Sequence, residues 1–296
     1  MATSSRPSAE VAISPATRMG TVALTVSDLA RSRAFYEDTL GLQATELDDG
    51  ELAFGTGTGT PLVKLRGDRS AAPLDRRATG LFHLAILHPT RLDLADALAR
   101  LAETRWPLDG ASDHLVSEAL YLSDPDGNGI ELYRDRPRSE WRMVDGALQM
   151  ATLPLDLRSV AAELEAATGP QLRAPAQTTI GHVHLQVAET AEIEAFYAGV
   201  LGFDVMVRGY PGALFVSAGG YHHHLGLNTW HSAGSSPPVP GAIGLDSYEV
   251  LLPDSDELDR VIARLSDAGL TLQTDAEQGG TLVRDPSGNA VRLSVD

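Results

Sequence analysis

Histidine and glutamate side chains recur at equivalent positions of a sequence unit that is repeated along the chain, and such side chains can bind a metal ion. The third residue of the first strand in four successive units is Thr21, His83, His182 and Ser247. The matching residue of the last strand is Lys64, Glu131, one of His222, His223 and His224, and Arg292. Metal-binding residue types therefore occupy both positions in the second and third units and neither position in the first and fourth. This coincidence favours one shared site over separate buried histidines.

Two imidazoles and one carboxylate on three separate strands can occupy one face of an octahedral ion. Adjacent positions then stay open for a chelating substrate and dioxygen, as in non-heme Fe(II) oxygenases. His83, Glu131 and His182 form this predicted set. The same ligand types suit Mn, Zn and Ni, so they do not by themselves distinguish Fe(II) from these metals. A lone buried histidine is usually a hydrogen-bonded core residue, and three others are interpreted in that way: His88, His184 and His231.

The glutamate lies in a predicted β-hairpin within residues 112–133. Two strands, HLVSEALYL and GIELYRD, flank the turn-forming run DPDGNG. Strand alternation places Glu131 and Tyr133 on one face of the second strand. On the first strand, the same alternation separates His114 from Tyr121 unless a bulge intervenes. The hairpin therefore brings an acid, a phenol and an imidazole to one small piece of sheet.

The repeated unit is predicted to form a strand, a helix and then about three strands. Its copies span residues 18–68, 78–136, 178–230 and 243–296. The segment MGTVALTVSDLARSRAFYEDTLGL returns as IGHVHLQVAETAEIEAFYAGVLGF, and DPDGNGIEL is echoed by DPSGNAVRL. These repeats predict an α+β fold built from four βαβββ modules. Residues 1–17 are expected to form a loose tail, and residues 137–177 a linker with one helix near 155–167.

Composition limits the partners that the protein can have. Forty acidic residues against 23 basic residues give a net charge of −17, which disfavours nucleic acid and anionic membranes. The sequence has no apolar run long enough to span a bilayer and no recognisable signal sequence. The absence of cysteine excludes thiolate chemistry and is compatible with the reducing cytoplasm, where we expect the protein to be located. A homo-oligomer is compatible with the sequence.

The repeated units, with histidine on first strands and glutamate on a last strand, resemble the vicinal oxygen chelate superfamily. The hairpin is also similar to the signature of extradiol ring-cleaving dioxygenases: His114, five residues, LYLSDPDG, three residues and Glu131. Ser112 departs from that signature, in which Gly, Asn, Thr or an aliphatic residue is more common. From about Met19 to its end the chain fits the four-unit layout and looks most like the bacterial catechol 2,3-dioxygenase group. This resemblance implies that the modules pair into two cup-like barrels.

The resemblance also implies an activity and its cofactor. His83, Glu131 and His182 would bind Fe(II), and the reaction would insert O2 next to the diol of a small aromatic substrate, which opens the ring. His114 and Tyr121 would hold that substrate through hydrogen bonds.

Three consecutive histidines match a His-His-x-Leu strand of the same enzymes. The resemblance points to His223 as the acid/base residue beside the metal, and we expect its imidazole to titrate near neutrality. A slip of one residue to His222 or His224 is left open.

One feature departs from familiar two-half extradiol enzymes, which take all their metal ligands from the C-terminal half. In this chain the fourth unit has Ser247 and Arg292 at the ligand positions. The complete set forms only if the second unit pairs with the third across the linker, which leaves the first to pair with the fourth.

Two other functions are compatible with the same residues. A glyoxalase-type isomerase or lyase would add a fourth protein ligand, His224, around a redox-inert metal. A metal-free binding protein of the drug-resistance type would need no metal.

Overall fold

Each repeated unit folds as a strand, a helix and three further strands. The computed structural model describes residues 11–57, 59–144, 147–167, 169–274 and 280–296. The first unit contains β1 Arg18–Val26, α1 Leu29–Ala34, β2 Gln43–Glu46, β3 Leu52–Gly55 and β4 Val63–Gly67. The second contains β5 Gly80–Leu87, α2 Arg91–Thr104, β6 Gly110–Asp113, β7 Ser117–Ser123 and β8 Gly129–Asp135. The connection contains β9 Met143–Val144, β10 Ala147–Leu148, β11 Leu153–Pro154 and α3 Leu157–Ala161.

The second half repeats this order. The third unit contains β12 Thr179–Gln186, α4 Thr190–Glu194, β13 Asp204–Tyr210, β14 Ala213–Ser217 and β15 Leu225–Asn228. The fourth contains β16 Gly244–Leu252, α5 Ser255–Asp267, β17 Gln273–Thr274, β18 Thr281–Arg284 and β19 Ala290–Val295. The helices α1 and α4 each continue into a π-helical turn that carries a Phe-Tyr pair. The predicted α+β class and its four βαβββ modules are confirmed.

Two large sheets join the units in pairs. One has nine strands in the order β11-β6-β7-β8-β5-β12-β15-β14-β13, and the other has eight in the order β17-β18-β19-β16-β1-β4-β3-β2. The antiparallel pairing of β5 with β12 joins the second unit to the third, and that of β1 with β16 joins the first to the fourth. The expected pairing is therefore confirmed. Across the described residues neither sheet closes on itself, so each pair forms an open, cup-like sheet instead of a closed barrel.

Alternation along the central strands separates the core from the inside of the cup. Leu84 and Ile86 on β5 and Leu132 on β8 belong to the main hydrophobic core. The alternate residues of the same strands point to the other face. There Ala85, on β5, and Tyr133, on β8, belong to a separate small cluster. Because β5 and β8 are parallel neighbours, the polar residues on this face lie side by side.

Two buried aspartates connect the sheets at equivalent turns. Asp124 and Asp285 each accept hydrogen bonds from two backbone N–H groups and an asparagine side chain of their own turn. The hydroxyl of Tyr36, in the first unit, lies 3.4 Å from Asp124 in the second. Tyr197, in the third unit, donates to Asp285 in the fourth at 3.0 Å. Each aspartate thus stabilises its turn and also links the two sheets.

The segments that flank the units also pack on them. Residues 1–10 of the predicted tail lie outside the described residues, whereas Ile13 is buried and its N–H donates to the carbonyl of Gly202. That part of the tail is packed, not loose. One helix was expected in the linker near residues 155–167. The structure has α3 in this region, and it continues as a 3-10 helix over Ala162–Ala166. Strand β11 of the linker pairs with β6. No helix within the described residues is long and apolar enough to span a membrane.

The two tyrosine–aspartate links predict unequal contributions to stability. We expect Tyr197→Phe to lower the free energy of unfolding by about 1–3 kcal/mol, because a buried carboxylate loses a hydrogen bond. Tyr36→Phe should cost less, since its hydroxyl lies at the weak limit of hydrogen-bond distance. Urea unfolding of both variants measures the difference. An equal or greater loss in Tyr36→Phe would contradict this account of the links.

Candidate metal centre

Three neighbouring strands, β8, β5 and β12, bring the predicted ligands together. Ala85 on β5 pairs with Glu131 on one side and with His182 on the other, and His83 lies two residues before it on the same face. The Oε2 atom of Glu131 is 3.0 Å from Nε2 of His83 and 3.0 Å from Nε2 of His182. The ligand atoms of the three residues lie within 4.8 Å of one another, and all three side chains are buried.

The protonation states of His182 and Glu131 suit a divalent metal. Burial lowers the pKa of His182 to about 4, so its imidazole is neutral at neutral pH. Burial would raise the pKa of Glu131, but its interactions with His182 and His83 outweigh this and hold the pKa well below its usual range. Metal binding requires such neutral imidazoles and ionised carboxylates.

Two ring nitrogens of the cluster also lack a hydrogen bond, Nδ1 of His182 and Nε2 of His83. Nε2 of His83 is buried and, despite its closeness to Glu131, has no hydrogen-bond partner of acceptable geometry. An unpaired buried nitrogen is costly unless something else binds it. The three residues therefore fit a metal ion with two imidazole nitrogens and one carboxylate oxygen as ligands.

A cavity of about 400 Å³ opens above the cluster, and His83 and Glu131 lie in its wall. This volume falls within the roughly 300–1,000 Å³ that is typical of small-molecule sites. Aromatic side chains supply much of the remaining wall, among them Phe82, Phe215 and Trp230. The linker contributes residues 150–152. Sequence patterns did not indicate them, because contacts between distant segments hold the linker there: β11 pairs with β6, and Ala151 bonds to His114.

His114 and Tyr121 form one hydrogen-bonded pair in the cavity wall. The Nδ1 atom of His114 lies 2.7 Å from the carbonyl oxygen of Ala151, so this nitrogen must carry the proton. Its Nε2 atom then accepts from the Tyr121 hydroxyl at 2.7 Å. Burial and the charge of Glu131 raise the pKa of Tyr121 well above its usual value, so the phenol stays protonated.

The path of the chain before β7 explains how these two side chains meet. A strand was predicted to start at His114, which would place this residue and Tyr121 on opposite faces. The strand instead begins at Ser117, and Leu115 adopts a left-handed backbone conformation with φ of +68°. This turn directs His114 back toward Tyr121, so the strand prediction was wrong over the first residues.

The three consecutive histidines point in different directions. The ring of His223 lies in the cavity wall, with its centroid 4.1 Å from that of His182. His222 is fully buried behind it, and the Nδ1 atoms of the two rings are 2.8 Å apart. His224 turns away: its Nδ1 atom accepts from the N–H of Ala218. Among the described residues His224 is not part of the cluster of candidate ligands, so the structure does not bring it to the centre as a fourth ligand.

One expectation about His223 needs correction. Burial, followed by the neighbouring histidines, lowers its pKa well below the usual value of an imidazole. The expectation that it titrates near neutrality is therefore wrong for the free protein. In that state the ring is neutral and has one nitrogen that can accept a proton.

The three lone histidines do not behave as satisfied core residues. His184 is buried in the cavity wall, and its Nε2 atom has no hydrogen-bond partner. His88 is buried with neither ring nitrogen bonded, and burial lowers its pKa to about 3. His231 is exposed. Strand alternation could have identified His184, because it follows His182 by two residues and so faces the same cavity.

Paired βαβββ units with a His-His-Glu set on adjacent strands define a vicinal oxygen chelate protein. The chain belongs to the Glyoxalase/Bleomycin resistance protein/Dioxygenase superfamily, whose family model matches residues 18–132 and 179–293. It is similar to a catechol-2,3-dioxygenase of Bacillus subtilis (strain 168), with 44% identity over 278 residues, which cover 93% of this chain and 95% of that protein.

Solved structures share the fold at low sequence identity. A putative dioxygenase from Bacillus subtilis superposes with a TM-score of 0.64 at 14% identity and covers 94% of this chain and 85% of its own. Glyoxalase I from Zea mays gives a TM-score of 0.56 at 16% identity, covering 94% of this chain and 92% of its own. At these identities the likeness concerns the fold alone.

The geometry of the cluster predicts a strong effect of one ligand change on metal binding. We expect Glu131→Gln to weaken binding of Fe(II) or Mn(II) at least about 100-fold. Loss of a residue that only hydrogen-bonds to a metal ligand costs about 10–100-fold in metal affinity, and loss of the charged ligand itself should cost more. Anaerobic equilibrium dialysis followed by metal analysis measures this affinity. His231→Gln, at an exposed histidine, is the matched control and should bind like the wild type. Equal affinity of the two variants would show that the metal binds elsewhere.

Proposed function

We propose that the protein is an extradiol dioxygenase that inserts O2 next to the diol of a catechol-type aromatic, using Fe(II). The observation that carries this proposal is the His-His-Glu cluster, of which His83 and Glu131 lie in the wall of a cavity that also contains the His114–Tyr121 pair. The similarity to a protein named catechol-2,3-dioxygenase supports the same substrate class.

The number of ligands favours an oxygenase over the related metal-dependent reactions. His83, Glu131 and His182 would hold the ion and leave adjacent coordination positions for the diol and for O2. When bound there, Fe(II) would favour ionisation of the diol and bring both substrates together. A glyoxalase-type isomerase of the kind considered above needs a fourth protein ligand. His224, the residue considered for this role, is committed to hydrogen bonds with Ala218 and Ser217.

Tyr121 and His223 would interact with the diol in different ways. The hydroxyl hydrogen of Tyr121 is committed to His114, so its oxygen is left to accept a hydrogen bond from a substrate hydroxyl. The neutral ring of His223 can accept the proton of that diol and return it later in the reaction. The aromatic walls suit the flat face of the substrate ring and exclude water around it.

A metal-free binding role is the third candidate, and it leaves the cluster unexplained. An ionised carboxylate and two imidazoles buried together are expensive to desolvate without a compensating ion. A pocket that only binds an aromatic drug gains nothing from this arrangement. The buried cluster therefore favours the metal-dependent reading.

Oxygen consumption separates these three functions. Protein loaded anaerobically with Fe(II) should consume O2 in a one-to-one ratio with at least one member of a panel of substituted catechols and hydroquinones. The ring-opened semialdehyde should appear in the visible spectrum at the same rate. Turnover that continues without O2, or that is supported equally by Zn(II), would instead identify an isomerase or lyase. Tight catechol binding by the metal-free protein, with no turnover under any condition, would favour the binding role.

Replacement of His223 tests its role as the proton acceptor. His223→Phe should retain its metal and lower kcat about 10²–10⁴-fold, which is the usual contribution of general acid–base catalysis. His231→Phe makes the same change at an exposed site and should keep the wild-type kcat. Oxygen uptake and metal analysis on the same samples provide both readouts. A kcat within a factor of two of the wild type would remove His223 from the mechanism.

A further inference from the structure

A continuous hydrogen-bonded chain runs from the cavity to the protein surface behind His223. Its Nδ1 atom is 2.8 Å from Nδ1 of His222, and Nε2 of His222 is 2.8 Å from Oδ1 of Asp135. His222 is fully buried, whereas the side chain of Asp135 is about one quarter exposed. Asp135 is the last residue of β8 and lies on the same strand face as Glu131.

We propose that Asp135 and His222 are positioning residues that fix the tautomer of His223. This inference rests on the proposed function, because it concerns the residue that would accept the proton of the diol. It assigns a role to Asp135, and it gives His222 a function different from metal binding.

The assignment follows from which atoms can donate. A carboxylate only accepts hydrogen bonds, so Nε2 of His222 must carry a proton. When that is the one proton on the His222 ring, its other nitrogen is an acceptor, and Nδ1 of His223 donates to it. In a neutral His223 the remaining nitrogen, Nε2, is therefore unprotonated, and it belongs to a ring that lines the cavity. A substrate hydroxyl can transfer its proton there: its O–H bond breaks, an N–H bond forms, and the Nδ1–H of His223 stays in place.

The surroundings hold Asp135 in the orientation that this chain requires. The hydroxyl of Tyr221 donates to Oδ1 of Asp135 at 3.2 Å, and the hydroxyl of Tyr133 lies 2.8 Å from that of Tyr221. The Tyr133 hydroxyl occupies space that a side chain at position 181 would fill: a Cβ atom added to Gly181 would lie 1.7 Å from it. Trp141 packs against His222 with ring centroids 5.5 Å apart.

A carboxylate that orients a histidine in this way is known to matter for catalysis. In the serine protease triad, replacing the buried aspartate by asparagine preserves the geometry but selects the wrong histidine tautomer, and kcat falls about 10⁴-fold. The chain described here has one additional imidazole between the carboxylate and the catalytic ring. The same effect is expected here. Asp135 accepts from one nitrogen of His222, and the other nitrogen of a singly protonated His222 then accepts from His223.

Nitrogen NMR reads these tautomers directly and does not depend on turnover. In Zn(II)-loaded protein labelled with ¹⁵N-histidine, we expect His223 to carry its proton on Nδ1 and His222 on Nε2. Two-bond ¹H–¹⁵N correlation spectra, assigned by comparison with His222→Gln and His223→Phe, distinguish the two tautomers of each ring. A wild-type His223 protonated on Nε2 would overturn the proposal.

Substitution of Asp135 connects the tautomer with the reaction. In Asp135→Asn, the amide N–H₂ group can donate to Nε2 of His222, which reverses the chain and places the proton of His223 on Nε2. We expect this variant to keep its metal and its KM and to lose about 10²–10⁴-fold in kcat, by analogy with the triad. Asp135→Glu keeps the acceptor and should restore the wild-type tautomers and most of kcat.

Two results in these variants would contradict the proposal. One is a reversed tautomer with unchanged kcat, and the other is a 100-fold loss of kcat with unchanged tautomers. Failure of the proposed function is a separate outcome, because wild-type protein would then consume no O2 with any diol while the NMR result still decides the tautomer.

Discussion

The structure depends on the burial of one carboxylate between two imidazoles. Glu131 is almost inaccessible to solvent, and an isolated charge in that position would be prohibitively costly. Its oxygen lies 3.0 Å from a nitrogen of His83 and of His182, so the three residues must be brought to one place. Only the adjacency of β8, β5 and β12 achieves this, which makes the joining of the second and third units a requirement of the site.

The repeated units have kept one interaction and diverged in another. The tyrosine–aspartate links occur in both halves, Tyr36 with Asp124 and Tyr197 with Asp285, because both halves need their sheets connected. The ligand positions are different. The first and fourth units, which also pair with each other, have Thr21 and Ser247 where the other pair has histidines. Both pairs of units thus keep the link that stabilises the fold, and only one pair has the candidate metal ligands.

Much of the fold could be predicted because the repeats carry it. The positions of strands, helices and turns recur, and equivalent positions in a repeat occupy equivalent places in a sheet. The same reasoning indicated His83, Glu131 and His182, since strand order in the repeat places them side by side. The pairing of the second unit with the third followed from chemistry alone, because no other pairing assembles the complete set.

The parts that could not be predicted depend on contacts between distant segments. The left-handed conformation of Leu115 redirects His114, and a regular alternation pattern does not reveal it. Asp135 gains its significance only through its hydrogen bond to His222, which is 87 residues away. The linker reaches the cavity because β11 joins the edge of the sheet. His184 is a different case, since alternation from His182 was available and the preference for satisfied core histidines outweighed it.

The central claim concerns where a metal binds, and a crystal structure of the Fe(II)-loaded protein with anomalous diffraction at the iron edge tests it most directly. The account predicts one strong anomalous peak about 2.0–2.2 Å from the ligand nitrogens of His83 and His182 and from a carboxylate oxygen of Glu131, which are the distances typical of such ligands. An anomalous peak bound by other residues, or full metal loading with none between these three, would contradict it.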